Sequence, residues 1–472
     1  MAKTKIVSTL GPACADATTM LALIEGGTDC FRINFSHGSR ASHSAYVLQC
    51  NEARRRTDRV VALMGDLCGP KIRTGPILPE GQALKEGDLV TIEPSTEATL
   101  ATHFSTNYAD LSRDLAVGQR VFVDDGKILL KVMEQQGEKN LCRVLLGGVL
   151  HSNKGINLPD TAVSAPSITK DDWQCVEWAV AQELDFLALS FVRSAEDIHK
   201  LREFLCGAGA NIRIVAKFET PQAIEQMEEI IMASDVSLVA RGDLGVEMDS
   251  AQVPLLQKRI TRLCRAHGKP VLVATHMLQS MIHSPTATRA EVSDIANAIM
   301  DYTDAVLLSG ETAIGEYAVR AVQTIGEVST VTEAHLDRFD RDHPIGAPAA
   351  EHLLTATLAS CVAQIVDSIE IVLVVVWSED GWSAQFLGKT RIDVPILALS
   401  SDIRTCRHMC LNYGVVPHRA EIPGDVEGFA RLAERLAIDK GLARSGDKIC
   451  LVLGPPLGYQ GNGQGMIVHT LS

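Results

Sequence analysis

Aromatic side chains make up only 4% of the 472 residues, so Val, Ile, Leu and Ala must fill the interior. Such a composition suits parallel sheets buried on both faces. The 12 cysteines contain no Cys-x-x-Cys pair, the closest two being Cys406 and Cys410, which excludes the common zinc spacing and a disulfide framework. No apolar run approaches the ~20 residues of a membrane helix, and no signal-peptide pattern precedes the first apolar stretch. Positive charge is in deficit, with a net charge of −14, which disfavours nucleic acid and anionic membranes as partners. A Gly-x-x-x-x-Gly-Lys-Ser/Thr loop is missing, so nucleotide binding of the P-loop kind is excluded. The Gly-rich stretch 461–465 has the wrong spacing and reads as a surface loop. Arg54-Arg55-Arg56 reads as the solvated end of a helix. The expected compartment is the reducing cytoplasm, and the length implies several domains.

What is present is a rhythm. Short β-branched runs at 5–10, 30–33, 60–64, 186–189, 212–216, 236–240, 270–274 and 305–308 alternate with helical stretches such as 222–231 and 253–267. Eight strands alternating with helices predict an α/β fold of the (β/α)8 TIM barrel type. Polar groups collect where the runs stop: Arg32, Asn34, Ser36 and His37; Asp66; Ser190; Lys217 and Glu219; Arg241 and Asp243; Thr275; Ser309 and Glu311. In a barrel those ends converge on one face, where active sites lie.

The gap between Asp66 and Ser190 is too long for one connection. Strand signals at 88–93, 119–123, 128–132 and 141–146 predict a small β domain inserted at that face as a lid. A separate α/β unit follows a polar joint at 336–350. The expected domains are therefore 1–70 and 166–342 for the barrel, 71–165 for the lid and 343–472 for the C-terminal unit.

Lys217 and Glu219, two apart on a strand, face the same side, and Asp243 comes from the next strand. Two inward carboxylates are costly when dry and unpaired; a hard divalent cation, held by one or two carboxylates and substrate oxygens, resolves that cost. Arg32, Arg73 and Lys217 at one mouth suit a phosphate. The residues alone thus point to a metal-assisted enzyme acting on a small phosphorylated or carboxylated substrate.

The pieces Lys3–Pro12, Asn34–Gly38, Gly69–Arg73, Asn157–Pro159, Arg241–Gly245, Thr288–Asp294 and Leu308–Ala313 resemble the pyruvate kinase family almost end to end. The resemblance implies a barrel, an inserted small β-barrel lid, a C-terminal α/β regulatory domain and a homotetramer, without the extra N-terminal domain of some members. It implies transfer of the phosphoryl group of phosphoenolpyruvate to ADP, giving pyruvate and ATP. By the same likeness Glu219 and Asp243 hold Mg2+ or Mn2+, and Arg32 and Lys217 contact the substrate phosphate. Gly242, Asp243 and Thr275 receive the carboxylate, while Arg73, Lys154, His37 and Asn34 serve the nucleotide. Thr275, Ser309 and Glu311 enter a proton relay through water. A metal-dependent aldolase would need neither Arg73, Lys154 nor the lid, and a catalytically dead sensor would not keep Arg32, Lys217, Glu219 and Asp243.

Two departures from the family pattern carry expectations. The monovalent-ion positions are Asn34, Ser36, Asp66 and Leu67, but Lys71 stands where many K+-requiring members have Glu. Its ammonium is expected to replace K+. In the C-terminal domain, Glu379 and Asp380 within Ser378–Ser383 would repel the phosphate of fructose 1,6-bisphosphate. Any phosphorylated effector is then expected to bind elsewhere in that domain.

Overall fold

The computed structural model describes residues 2–95, 97, 99–336, 352–454, 457 and 463–472. Strands β1 (Lys5–Thr9), β2 (Cys30–Asn34) and β3 (Ala62–Asp66) open the chain. An inserted unit follows with β4 (Gln82–Leu84), β5 (Leu89–Pro94), β6 (His103–Thr106), β7 (Arg120–Val123), β8 (Ile128–Gln136), β9 (Lys139–Leu146), β10 (Gly148–Leu150) and β11 (Ile156–Asn157). The chain then returns with β12 (Phe186–Leu189), β13 (Arg213–Phe218), β14 (Val236–Ala240), β15 (Val271–Ala274) and β16 (Ala305–Leu308). Strands β1–β3 and β12–β16 close into a parallel barrel in the order β1-β16-β15-β14-β13-β12-β3-β2.

The barrel strands are nearly continuous apolar runs because both faces are covered. Val7, Met64, Phe186, Val215, Leu238, Leu272 and Leu307 fill the interior, while Ile6, Leu63, Leu187, Ile214, Val239 and Val273 pack outward against the helices. Several helices begin at side-chain caps that satisfy their first free amides: Asp16, and the capping boxes Ser39/Ser42, Thr169/Asp172 and Thr288/Glu291. The stretch 222–231, expected as one helix, breaks into Pro221–Glu225 and Met227–Ala233 at Gln226, which lies off helical geometry.

The inserted unit has its own core around Ile92, Phe104, Val121, Leu130 and Val144. Its six strands run in the order β11-β7-β8-β9-β5-β6, beside the pair β10-β4. Isolated bridges Arg73↔Gly155 and Thr74↔Thr106 span the two edges of the six-stranded sheet and wrap it into a small barrel. The C-terminal unit holds β17 (Leu373–Trp377), β18 (Ile396–Ser400), β19 (Val415–Arg419), β20 (Lys448–Leu453) and β21 (Gly465–Thr470). They form a sheet β19-β18-β17-β20-β21, parallel except for the antiparallel edge strand β21. Cys410 and Leu411 from this unit join the interior cluster of the barrel and stopper its base.

That base carries a repeated device. Asp29, Asp185, Asp235 and Asp304 each precede an even-numbered barrel strand of the eight. Each accepts the amide of a residue in the neighbouring odd strand: Ile6 at 3.0 Å, Leu63 at 2.7 Å, Ile214 at 2.8 Å and Val271 at 2.8 Å. Each also meets two cations: Lys5 and Arg59, Arg54 and Arg407, Arg202 and Arg213, Lys389 and Arg391. Arg54 is therefore not part of a solvated helix end. It is partly buried against Asp185 and the Val61 carbonyl, and only Arg55 and Arg56 stay outside, on Glu52. The joint expected at 336–350 lies outside the described residues apart from Leu336, and the Gly-rich stretch is described only from residue 463.

Candidate active site

At the opposite end of the barrel three strands run past their apolar stretches, so that Asn34, Asp66 and Lys217 are strand residues. Strand geometry thus aims their side chains at the mouth. Asp66 is the hub. Its Oδ2 accepts Arg32 Nε at 2.7 Å and Nη2 at 2.6 Å, and its Oδ1 lies 3.4 Å from Lys217 Nζ. Lys217 also reaches Glu219 Oε1 at 2.8 Å and Ser190 Oγ at 2.7 Å. Thr9 Oγ1 accepts Arg32 Nη1 at 3.0 Å and donates to the Leu308 carbonyl, tying the guanidinium to the last strand.

Burial works against charge on each of these groups, and the neighbours decide the outcome. Burial alone would raise the Asp66 carboxyl, but Lys217 and Arg32 hold it below the ordinary range. Burial would discharge Lys217, but Asp66, Glu219 and Asp243 hold its ammonium firmly protonated. One ammonium among three carboxylates cannot satisfy them all. Burial, partly offset by Lys217 and reinforced by Asp243, pushes Glu219 up.

Asp243 lies in the first turn of the short helix Arg241–Glu247 and has no cation within 4 Å among the described residues. Glu247 ends the same helix. Burial, and to a lesser degree Asp243 and Glu219, pushes its carboxyl up to about 7, against a hydrogen bond from Asn157. Acidic groups that repel one another across a cleft fit a divalent cation, whose charge removes the repulsion. Glu219 and Asp243 would hold it. No group of three or more His, Cys, Asp and Glu among the described residues is arranged to hold a metal ion.

On one side of this centre the backbone is strained. Thr275 and His276 have φ of +72° and +55°, a region that β-branched residues such as Thr avoid. The turn lets Thr275 Oγ1 accept the Gly242 amide at 2.7 Å while donating to the Ala274 carbonyl at 2.6 Å. Glu311 is buried and uses both oxygens on backbone amides, those of Leu278 at 3.0 Å and Ser309 at 2.7 Å. The structure thus joins Glu311 to Ser309 as a loop support.

On the other side lie the cations. Lys71 Nζ donates to Ser36 Oγ at 2.7 Å, so its ammonium touches one of the four residues expected at a monovalent-ion site. Of the other three, Asn34 Oδ1 accepts the Ser36 amide, Asp66 is the hub described above, and the Leu67 carbonyl accepts Ser190 Oγ. Lys71 is an exposed residue, yet desolvation around its ammonium and the charge of Lys217 pull its pKa down. Burial and the charges of Lys71, Arg73 and Arg32 likewise lower His37, which places three of the expected phosphate-contacting groups, Arg32, Arg73 and His37, in one field with Lys71. Arg73 is held by the Asn153 carbonyl at 2.8 Å and Lys154 by Asp124 at 3.0 Å. A cleft of about 300 Å³, between the inserted unit and the barrel, is lined by Lys71, Arg73, Asp124, Asn157, Asp243 and Glu247 among others.

This chain matches the family described as "Pyruvate kinase, barrel domain" over residues 1–322, and "Pyruvate kinase, alpha/beta domain" over residues 356–469. The chain belongs to the pyruvate kinase family. It is 37% identical over 473 residues to a pyruvate kinase of Geobacillus stearothermophilus, covering 100% of this chain and 80% of that one. It is 36% identical over 470 residues to one of Mycobacterium intracellulare, covering 99% and 98%. A solved pyruvate kinase from Cryptosporidium parvum superposes with a TM-score of 0.94 at 30% identity, covering 100% and 96% of the two chains.

The sequence reading missed three groups, and placed Ser190 at a strand end without giving it a role. Thr9 also stands at a strand end, a signal that was available. Phe191, at φ +52°, turns its amide onto Glu219 Oε2 at 2.7 Å; nothing in the sequence marks that strain. Glu247 depends on a helix turn meeting the inserted unit, which no local pattern announces.

Proposed function

We propose that the chain transfers the phosphoryl group of phosphoenolpyruvate to ADP, giving pyruvate and ATP, at the mouth formed by Arg32, Asp66, Lys217, Glu219 and Asp243. The observation that carries this is the network in which Lys217 stands between Asp66 and Glu219 with Arg32 beside it. Phosphoryl transfer needs positioning and charge stabilisation more than covalent chemistry. Mg2+ or Mn2+ held by Glu219 and Asp243 would supply Lewis-acid stabilisation of phosphate and enolate oxygens. Arg32, its orientation fixed by Asp66 and Thr9, binds the phosphate. Lys217, kept protonated by three carboxylates, neutralises charge on the transferring group. Gly242, Asp243 and Thr275 bind the substrate carboxylate. Arg73, Lys154, His37 and Asn34 bind the nucleotide, with the unit 71–165 acting as lid. The enolate takes its proton from water beside Thr275 and Ser309, with Glu311 positioning Ser309.

Lys71 supplies the monovalent charge, so K+ is not required. Support comes from its hydrogen bond to Ser36. A coupled assay with phosphoenolpyruvate, ADP and Mg2+ in a K+-free tetramethylammonium buffer tests both readings. Activity is expected, changing by less than about twofold when K+ is added, because a fixed ammonium already fills the role. No turnover under either condition overturns the function, and a large rise with K+ overturns the role of Lys71.

The C-terminal unit, 343–472, is the regulatory domain in this reading. Glu379 there accepts the Ser401 amide and hydroxyl, at 3.2 and 2.9 Å, which keeps a carboxylate in the loop and supports an effector other than fructose 1,6-bisphosphate. Twelve free thiols support a reducing cytoplasm, and no helix among the described residues is long and apolar enough to cross a membrane. Assembly as a homotetramer follows the family likeness, and sedimentation velocity checks it.

A further inference from the structure

Asn157 Nδ2 donates to Glu247 Oε1 at 2.7 Å. This joins β11 of the inserted unit to the helix whose first turn carries Asp243. Residues 243 and 247 are four apart on that helix, so both side chains lie on one face. The turn after β7 lies near the same helix: a Cβ added at Gly126 would stand 4.0 Å from Val246 Cγ1.

The partner strand is equally well placed. Asn157 lies three residues beyond Lys154 and two beyond Gly155, which bridges Arg73. Ile156 donates its amide to the Ile72 carbonyl at 2.8 Å, and Asp124, which holds Lys154, donates its amide to Gly155. Moving β11 therefore moves both cations assigned to the nucleotide. Glu247 itself contacts neither of them and lines the cleft beside Asp243.

We propose that Glu247 is a positioning residue, the barrel-side anchor that receives Asn157 and sets the distance between the nucleotide cations of the inserted unit and the carboxylate Asp243. The proposal rests on the reading of Arg73 and Lys154 as nucleotide ligands and of Asp243 as a cation ligand. A hydrogen bond between two side chains at a domain junction is strong enough to matter, and losing it frees β11 without removing any group that touches substrate.

A double-mutant cycle tests it. Asn157→Ala and Glu247→Ala are each expected to raise KM for ADP about tenfold, with KM for phosphoenolpyruvate within about twofold and kcat within about threefold of the parent. The double variant should be no worse than either single one. Glu247→Gln keeps an acceptor and should stay within about threefold of the parent. Asn157→Asp should be worse than Asn157→Ala and be rescued by Glu247→Gln, which keeps the test alive if an alanine variant folds poorly. Multiplicative effects, equal losses for both substrates, or a fall in melting temperature without a KM change each overturn the anchor. Mn2+ binding followed by electron paramagnetic resonance separates this from the site reading. Asp243→Asn should abolish it while Asn157→Ala leaves it intact; if Asp243→Asn binds Mn2+ normally, the cation site is wrong whatever the cycle shows.

Discussion

The two ends of the barrel are built from the same residue types and treat them in opposite ways. At the base, four aspartates each take a backbone amide and two cations. Each of those charges meets opposite charge, although Asp304 Oδ1, Arg54 Nε and Arg391 Nε and Nη1 have no hydrogen-bond partner among the described residues. At the mouth, Arg32 and Lys217 share Asp66, Lys217 also serves Glu219, and Asp243 has no cation within 4 Å among the described residues. Buried charge by itself therefore does not mark a catalytic site. Nor does strained backbone, since positive φ occurs at Phe191, Thr275 and His276 by the mouth and at Glu183, Tyr302 and Arg391 by the base; what marks the mouth is a carboxylate, Asp243, with no cation within 4 Å among the described residues.

The sharpest way to break that contrast is to remove one charge from each end. Lys217→Met should lower kcat on the order of 10³-fold, about 4 kcal/mol, because the group acts on charge that develops in the transition state. Circular dichroism and kcat measured on the same preparation check that activity falls far more than stability. Asp304→Ala should do the reverse. It strands Lys389 and Arg391, each under 5% exposed, and should cost about 3 kcal/mol of stability, read by denaturant unfolding. Its kcat per folded enzyme should stay within about twofold, since the base takes no part in charge stabilisation. Equal effects on both properties in both variants would erase the distinction.

The rhythm of β-branched runs was enough to find the barrel, because strands buried on both faces have no choice but to be apolar. It also found the mouth, because polar residues at seven successive strand ends have one place to meet. The base was invisible for a related reason. Thr28-Asp29, Leu184-Asp185, Ser234-Asp235 and Thr303-Asp304 each look like an ordinary turn before a strand. Only the closed order of strands shows that each caps its neighbour. Arg54 was misread because helix-end arginines are usually solvated, whereas here tertiary packing carries Asp185 to it. Within the C-terminal unit, the helices Trp382–Lys389 and Ile403–His408 and the strand β19 were too short to assert a period. The anchor at Glu247 needed two domains to meet.

Proton uptake sharpens the comparison next. His408, from the C-terminal unit, packs edge-on against Phe186 at the base. Burial first, then Arg213, lowers its pKa to about 4, against Asp235 and Asp402. Unfolding returns the ring to about 6.5, so the unfolded chain binds a proton that the folded chain refuses. This contribution to stability is intact above pH 6.5 and drains away as pH falls towards 4, to a loss of roughly 2–3 kcal/mol. His408→Gln should flatten that part of a stability-against-pH profile measured by urea unfolding. An unchanged slope would remove His408 from the acid response.

The finest contrast is between two hydroxyls. Ser190 Oγ donates its one proton to the Leu67 carbonyl at 2.7 Å and accepts Lys217 Nζ at 2.7 Å. With Asp66 and Glu219 it completes the three partners an ammonium can take. Thr4 Oγ1, at the base, donates to the Glu333 carboxylate at 2.7 Å, and that carboxylate also accepts the amides of Lys3 and Thr4. Each is one hydrogen bond to a charged group, worth about 1.5–3 kcal/mol when lost. Ser190→Ala lets Lys217 settle between its two carboxylates, so kcat should fall about tenfold, or 1.4 kcal/mol, with a small change in melting temperature. Thr4→Val should lower the melting temperature and leave kcat alone, because Glu333 keeps its two amides and touches nothing at the mouth. If Ser190→Ala costs only stability, the lysine is held well enough by carboxylates alone, and incomplete compensation at the mouth matters less than argued above.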